Sequence, residues 1–187
     1  MKKKSPIWIL IWVMAALGAG SAILAVAGFG FSRHALEKAN QVSTLALCTE
    51  LEHAVQRFYD DNGTLPVDID KDVTFASNSE KGLQLLNVLF DLETSDMPMN
   101  VKGIKYLMFM DGSRAAEGLT WNESGTSITG LYDPWGGEYQ ITLDGDFDNY
   151  ITVQPKAAKE PRELKRRVAV WSDGNKADKA KDDVTTW

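Results

Sequence analysis

"ALCTELEHAVQRFYDDNGTLP", Ala46 to Pro66, closes the longest helical pattern in this sequence. No Pro or Gly interrupts residues 32–62, and the Asn-Gly pair that follows, with Pro66 just beyond, is a helix stop signal. Apolar side chains recur at three- and four-residue steps, which is the spacing of one helix face, at Val42, Leu45, Cys48, Leu51, Val55 and Phe58. The pattern predicts a stalk helix over residues 32–62, with Glu52 among the polar residues of its other faces.

An apolar segment, "PIWILIWVMAALGAGSAILAVAGFGF", precedes this helix and runs from Pro6 to Phe31 with Ser21 as its one polar residue. About 20 apolar residues span a bilayer, and the three lysines in front of the segment place the N-terminus in the cytoplasm. We expect residues 1–31 to be a single-pass inner-membrane anchor, with residues 32–187 in the periplasm or at the cell surface. "AVAG", Ala25 to Gly28, resembles a signal-peptidase site, so a cleaved export signal is the alternative.

The charge is unevenly distributed along the chain. No charged residue lies between the three N-terminal lysines and Arg33, and from Arg33 onward 17 basic residues face 26 acidic ones, a net charge of −9. Phosphate binding requires a basic surface, so nucleic acid is excluded as a partner, whereas a divalent cation is compatible with this charge. The single cysteine, Cys48, excludes an intramolecular disulfide.

The second half of the chain predicts a short helix and an antiparallel sheet, and so an α+β fold. Ser77 and Glu80 have the spacing of a capping box ahead of an apolar run. "GIKYLMFM", Gly103 to Met110, has the composition of a strand. Three further strands are predicted at "EYQITL", "NYITVQP" and "ELKRRVAVW", with "DGDFD" as the hairpin turn between the first two.

The sequence contains none of the common catalytic motifs considered below. Its two histidines, His34 and His53, both fall on the stalk helix, and no GxSxG, HExxH or phosphate-binding loop occurs. We therefore predict a structural or interaction protein, not an enzyme. "DGDFDN", Asp144 to Asn149, begins like a calcium loop but lacks its sixth-position Gly and its final acid, so it is interpreted as a turn.

The acidic C-terminus has features of a folded loop. Asp173, Asp178, Asp182 and Asp183 lie within eleven residues, and calcium is bound by six to eight oxygens of this kind. Three lysines in the same stretch favour a solvated tail instead. A strand that ends near Trp171 and a terminal Trp187 favour a segment that packs back onto the sheet.

Three motifs together resemble the type IV pilin-like superfamily, and within it the major pseudopilin of type II secretion systems. "VAVWSDGNKADKAKDDVTTW", Val168 to Trp187, is similar to that family's final strand and loop. "LYDPWGGEYQITLDGDFDNYITV", Leu131 to Val153, resembles its Asp-Pro-Trp-Gly-x-x-Tyr segment, and Ala46 to Pro66 resembles its helix end. The three motifs follow the family's order, with a divergent middle.

The resemblance implies a pilin-like fold: a long N-terminal helix packed on a small antiparallel sheet, with an acidic closing loop. Residues 63–130 would be the variable region and residues 131–187 the sheet and closing loop. It also implies assembly with other pilin-like or secretion-system subunits, or with copies of itself, and calcium bound by Asp173, Asp182 and Asp183.

The N-terminus departs from the family's processing pattern. Family precursors are cut after a Gly, with a Glu five places into the mature chain, whereas the fifth residue after Gly30 is Ala35. The alternative function is therefore an exported, membrane-tethered binding protein, such as an adhesin, that keeps the pilin fold without forming filaments.

Overall fold

The structure, a computed structural model, describes the backbone of residues 6–108, 118–175 and 183–187, and their side chains from residue 34 onward. The chain is α+β, with a long N-terminal helix and a small antiparallel sheet, as the sequence predicts. The elements in chain order are α1 (Pro6–Asn62), β1 (Val73–Ala76), α2 (Glu80–Leu89), β2 (Leu119–Trp121), β3 (Ile128–Leu131), β4 (Tyr139–Leu143), β5 (Ile151–Val153), β6 (Arg162–Leu164), β7 (Val168–Ser172) and β8 (Val184–Thr185).

The chain divides into two compact units, residues 1–40 and residues 41–187. The first unit holds the N-terminal part of α1, and the predicted membrane anchor at residues 1–31 lies outside the residues whose side chains are described. Among the residues whose side chains the structure describes, from residue 34 onward, no helix is long and apolar enough to cross a membrane.

In the second unit, one face of α1 forms a wall of the main hydrophobic core. Of the predicted stripe, Cys48, Leu51, Val55 and Phe58 are fully buried, which confirms the position of that face. Val42 is 68% exposed and Leu45 41% exposed, so these two assignments were wrong. Val42 precedes Leu51 by nine residues, which is about two and a half helical turns, so the two side chains lie on opposite sides of α1. Thr44 and Leu47 lie on the buried face instead.

The short helix α2 packs its buried residues on the same core, but its cap differs from the prediction. Ser79, not Ser77, is the N-cap, and its Oγ accepts a hydrogen bond from the Gly82 N–H. Ser77 is buried, where its Oγ donates to the Leu131 carbonyl and accepts from the Tyr139 N–H. Ser77 therefore joins β3 to β4 and does not start the helix.

The segment predicted as a strand at Gly103 to Met110 forms no strand over residues 103–108, and residues 109 and 110 lie outside the described ranges. The N–H groups of Tyr106 and Leu107 both donate to the Leu89 carbonyl at the end of α2. Both side chains are buried in the main core. The apolar composition of this segment reflects core packing without sheet pairing.

The main sheet has four antiparallel strands in the order β1-β4-β7-β8. Its centre is the β4–β7 pair, which runs from Tyr139 opposite Ser172 to Leu143 opposite Val168. Alternate residues of β7 point to opposite faces of the sheet, so Val170 joins the core beneath α1, whereas Trp171 joins a second, smaller cluster.

The smaller cluster lies between β7 and the β5–β6 hairpin. Ile151, Val153 and Leu164 from the hairpin pack there with Ala169 and Trp171 of β7. This arrangement corrects two sequence predictions: "DGDFD" connects strands of different sheets and is not a hairpin turn, and "ELKRRVAVW" contains two strands, β6 and β7, separated by a bend.

Candidate functional site

The chain's last segment returns to the sheet as predicted. We define the closing segment as residues 171–187, of which residues 176–182 lie outside the described ranges. Strand β8 pairs with the end of β7, with Thr185 opposite Trp171 and Val184 opposite Ser172. The rings of Trp171 and Trp187 meet edge to face, with centroids 5.8 Å apart. The terminus is therefore part of the folded domain.

A carboxylate on α1 holds the closing segment to the helix. Glu52 Oε1 accepts from the Val170 N–H at 2.9 Å and from the Thr186 hydroxyl at 2.5 Å. Arg166 lies 3.5 Å from Glu52 Oε2, donates to the Thr186 hydroxyl, and stands over the Trp187 ring. Glu52 lies on a polar face of α1, as the sequence predicts, yet its side chain is only 13% exposed because the closing segment covers it.

The position of Glu52 follows from the length of β8. In the register of β7 and β8, Thr186 falls opposite Val170, one residue beyond the last ladder pair. The Glu52 carboxylate accepts the Val170 N–H at this point, where no strand partner does so. A helix side chain thus completes the sheet edge where β8 ends.

The Asp-Pro-Trp-Gly motif fixes the other end of the closing segment. Asp133 is buried, and its Oδ1 accepts from the N–H groups of Trp135 and Gly137, which shapes the turn ahead of β4. Its Oδ2 accepts a 2.5 Å hydrogen bond from the Ser172 hydroxyl, which in turn accepts from the Gly174 N–H. Two motifs that lie 39 residues apart thus form one hydrogen-bonded unit.

The predicted calcium residues are only partly described. Asp182 lies outside the described residues, whereas Asp173 and Asp183 contact adjacent residues of the β5–β6 connection. Lys156 Nζ lies 2.6 Å from Asp173 Oδ2, and the Ala157 N–H donates to Asp183 Oδ2. The hydrogen bond and charge of Asp173 raise the pKa of Lys156. Calcium at this loop would compete with Lys156 for Asp173, and it stays a prediction.

A second group of acids was not predicted from the sequence, because "DGDFDN" was interpreted as a turn. Asp144 and Asp146 from this segment meet Asp72, which immediately precedes β1, and one carboxylate oxygen from each lies within 4.8 Å of the others. The Asp-x-Asp spacing was the available signal. The contribution of Asp72 depends on the β1–β4 pairing, which the local sequence does not reveal.

The two histidines give no support to a catalytic role. His34 and His53 are both exposed on α1 and are separated by 19 positions in the sequence. The prediction that the chain is not an enzyme stays a prediction.

No model of a protein family matches this chain, and neither a curated protein nor a solved structure matches it. The resemblance to pilin-like proteins therefore depends on the three sequence motifs alone. The α+β architecture and the closing segment are properties of this chain's own structure.

Proposed function

We propose that this protein is a membrane-anchored, pilin-like structural subunit of a type II secretion or type IV pilus-related assembly. Its N-terminal segment would lie in the inner membrane, and the domain would lie in the periplasm or at the cell surface. The observation that carries the proposal is the double role of α1. This 57-residue helix begins in the apolar segment, and its C-terminal part packs into the core of a small domain with an antiparallel sheet.

The exposed surface of α1 gives further support. Val42 and Leu45 are large apolar side chains near the start of the second unit, and they are 68% and 41% exposed. On a helix these neighbouring positions form a strip away from the core, which a second subunit could cover. Subunits that bundle their N-terminal helices bring such strips together, and the partners would be copies of this chain or other pilin-like subunits.

The resemblance alone suggests that the subunit also binds calcium, with Asp173, Asp182 and Asp183 as the ligands. The ion pair of Asp173 and the hydrogen bond of Asp183 support a folded closing segment at two of these three residues. A calcium ion there would stabilise the connection between β7 and β8.

The alternative is an exported, membrane-tethered binding protein that retains this fold without forming filaments. The observation that favours it is the N-terminal pattern, because Ala35 stands where the family has its Glu. Such a protein would be anchored or secreted as a single subunit, with its domain binding a surface or host molecule.

N-terminal sequencing of the mature protein, recovered from separated membrane and soluble fractions, tests the anchor and its processing. An intact N-terminus in the membrane fraction is expected for an uncleaved anchor. A start at Phe31 would indicate cleavage at the pilin-type position, which would also remove the predicted anchor. A start at Gly28 in the soluble fraction would indicate signal-peptidase cleavage and would contradict the membrane-anchored subunit.

Cysteine cross-linking tests assembly. In a Cys48→Ala background, which removes the single native thiol, Leu45→Cys places a thiol on the exposed strip and Ser124→Cys places one on the exposed β2–β3 turn as a control. Oxidation of membranes should give disulfide-linked dimers with Leu45→Cys at several times the yield of Ser124→Cys. Equal yields, or monomer alone, would favour the tethered binding protein.

A further inference from the structure

Three carboxylates meet at one end of the main sheet, and we call Asp72, Asp144 and Asp146 the carboxylate cluster. Its position follows from the strand register. Val73 of β1 pairs with Leu143 of β4, so the residues just beyond, Asp72 and Asp144, are neighbours across the antiparallel pair. The Gly145 N–H donates to Asp72 Oδ1 at 3.1 Å, which joins the two chain segments. The sheet therefore holds two of these acids side by side.

The three oxygens lie close enough together to bind a single cation. They lie within 4.8 Å of one another, and calcium binds oxygen at about 2.3–2.6 Å, so ligands on opposite sides of one ion lie up to about 5 Å apart. Magnesium holds its ligands closer, at about 2.0–2.1 Å, so the choice between the two ions comes from the chemistry of the loop and not from this spacing. An irregular loop that offers only oxygen atoms suits calcium better than the strict octahedral geometry of magnesium.

Asp144 provides an independent reason to expect a ligand. Its side chain has no exposed surface, and its carboxyl group faces the other two acids of the cluster. Asp144 Oδ2 accepts from the Asn149 N–H at 3.0 Å, but Oδ1 has no hydrogen-bond partner among the described residues. A buried carboxylate oxygen without a partner is strongly unfavourable. A bound cation would satisfy it.

No counter-charge among the described side chains is paired with the cluster. Within the described ranges, none of its three carboxylates forms a salt bridge. Arg167, which is close by in the fold, donates to Asn149 Oδ1 and stacks on the Tyr59 ring. Burial raises the pKa of both Asp72 and Asp144, and the neighbouring acids add to this effect.

We infer that the carboxylate cluster is a calcium site, in which Asp72, Asp144 and Asp146 each supply one oxygen. Main-chain carbonyl groups and water complete the six to eight ligands that calcium requires. The ion ties the start of β1 to the loop after β4. This inference does not depend on the proposed assembly role, and the site lies on a different loop from the calcium predicted at the closing segment.

Isothermal titration of the full chain in detergent micelles with calcium chloride tests the inference. Asp146→Asn removes one ligand charge at an exposed position, and Asn keeps the Oδ1 acceptor that the Asp148 N–H uses. Asp148→Asn is the matched control, because Asp148 lies in the same exposed loop but outside the cluster. We expect saturable binding by the native chain, a dissociation constant raised at least about tenfold in Asp146→Asn, and little change in Asp148→Asn.

Two further measurements separate this site from its alternatives. Asp183→Asn removes a ligand of the closing-segment prediction, so binding that is lost in Asp183→Asn but unchanged in Asp146→Asn would overturn the inference. Binding that is equal in the native chain and in Asp146→Asn and Asp72→Asn would also overturn it. A competition experiment with magnesium chloride should leave calcium bound, and displacement at equal concentrations would contradict the choice of calcium. Near-ultraviolet circular dichroism without calcium verifies that each variant is folded.

Discussion

Among individual side chains, Glu52 makes the connection that matters most for the closing segment. We expect Glu52→Ala to destabilise the domain by about 2–3 kcal/mol, because it removes charge-assisted hydrogen bonds to Val170 and Thr186 and leaves a sheet N–H unpaired. Urea denaturation measures the loss. Glu50→Ala is the control, because Glu50 is 48% exposed and its described ion pair joins it to Arg57 on the helix surface. It should cost less than about 1 kcal/mol, and equal losses in the two variants would contradict the role of Glu52.

The ion pair between Lys156 and Asp173 predicts a dependence on alkaline pH. Asp173 raises the pKa of Lys156 above its ordinary value of 10.5, so the folded state holds this proton more tightly than the unfolded chain does. The stabilisation is therefore complete below pH 10.5 and is lost as the pH rises through the raised folded value. Lys156→Gln should lower stability by less than about 1 kcal/mol at neutral pH, because the lysine side chain is 70% exposed.

Urea denaturation at a series of pH values, from pH 7 to on the order of pH 11, measures this effect through the midpoint urea concentration. The difference between the native chain and Lys156→Gln should shrink above pH 10.5. Lys159→Gln, an exposed lysine of the same connection, should show no such trend. A difference that stays constant or grows at high pH would show that Lys156 acts by packing and not through its charge.

Among the helices and strands, those with strong local patterns could be predicted from the sequence. The end of α1 at Asn62 agrees with the Asn-Gly signal, since Gly63 adopts a positive φ of 73° and its N–H bonds back to Tyr59. Strand β4 agrees with its alternation of apolar residues. These features depend on neighbouring residues, and the sequence displays them directly.

Strand pairing could not be predicted in the same way, because it depends on residues far apart in the chain. Strands β4 and β5 follow one another closely, which favoured a hairpin, yet β4 pairs with β7 and β5 with β6. All five residues of β7, Val168 to Ser172, are buried, because the main core covers one face of the strand and the smaller cluster covers the other. The same nonlocal pairing brings Asp72 beside Asp144, which is why the carboxylate cluster was missed.

Strand β8 is only two residues long, so its attachment should depend on Trp187. We expect Trp187→Ala to destabilise the domain by about 1–3 kcal/mol, because the ring packs on Trp171 and beneath Arg166. Trp121→Ala is the matched control, since Trp121 is 43% exposed on the β2–β3 hairpin and lies outside both clusters. Urea denaturation of both variants provides the comparison, and equal effects would mean that the terminal ring does not hold β8.

The described hydrophobic core belongs to the second of the two units, residues 41–187. All described members of the two hydrophobic clusters lie between Leu47 and Trp187. The connections that close the domain, from Glu52 to the terminus and from Asp133 to Ser172, lie within the same range. The described contacts that stabilise the domain therefore lie within residues 41–187.

Deletion of residues 1–40 tests this division. We expect residues 41–187 to fold without detergent and to unfold cooperatively in urea, because the deletion removes no member of either described cluster. Cys48 reports on the fold: burial raises the pKa of its thiol, so a thiol reagent should react with it only as the domain unfolds. The reaction in concentrated urea gives the rate for the unfolded chain. A similar rate in buffer alone, or gradual unfolding in urea, would show that the core needs the N-terminal part of α1. Residues 41–187 would then not be a self-sufficient domain.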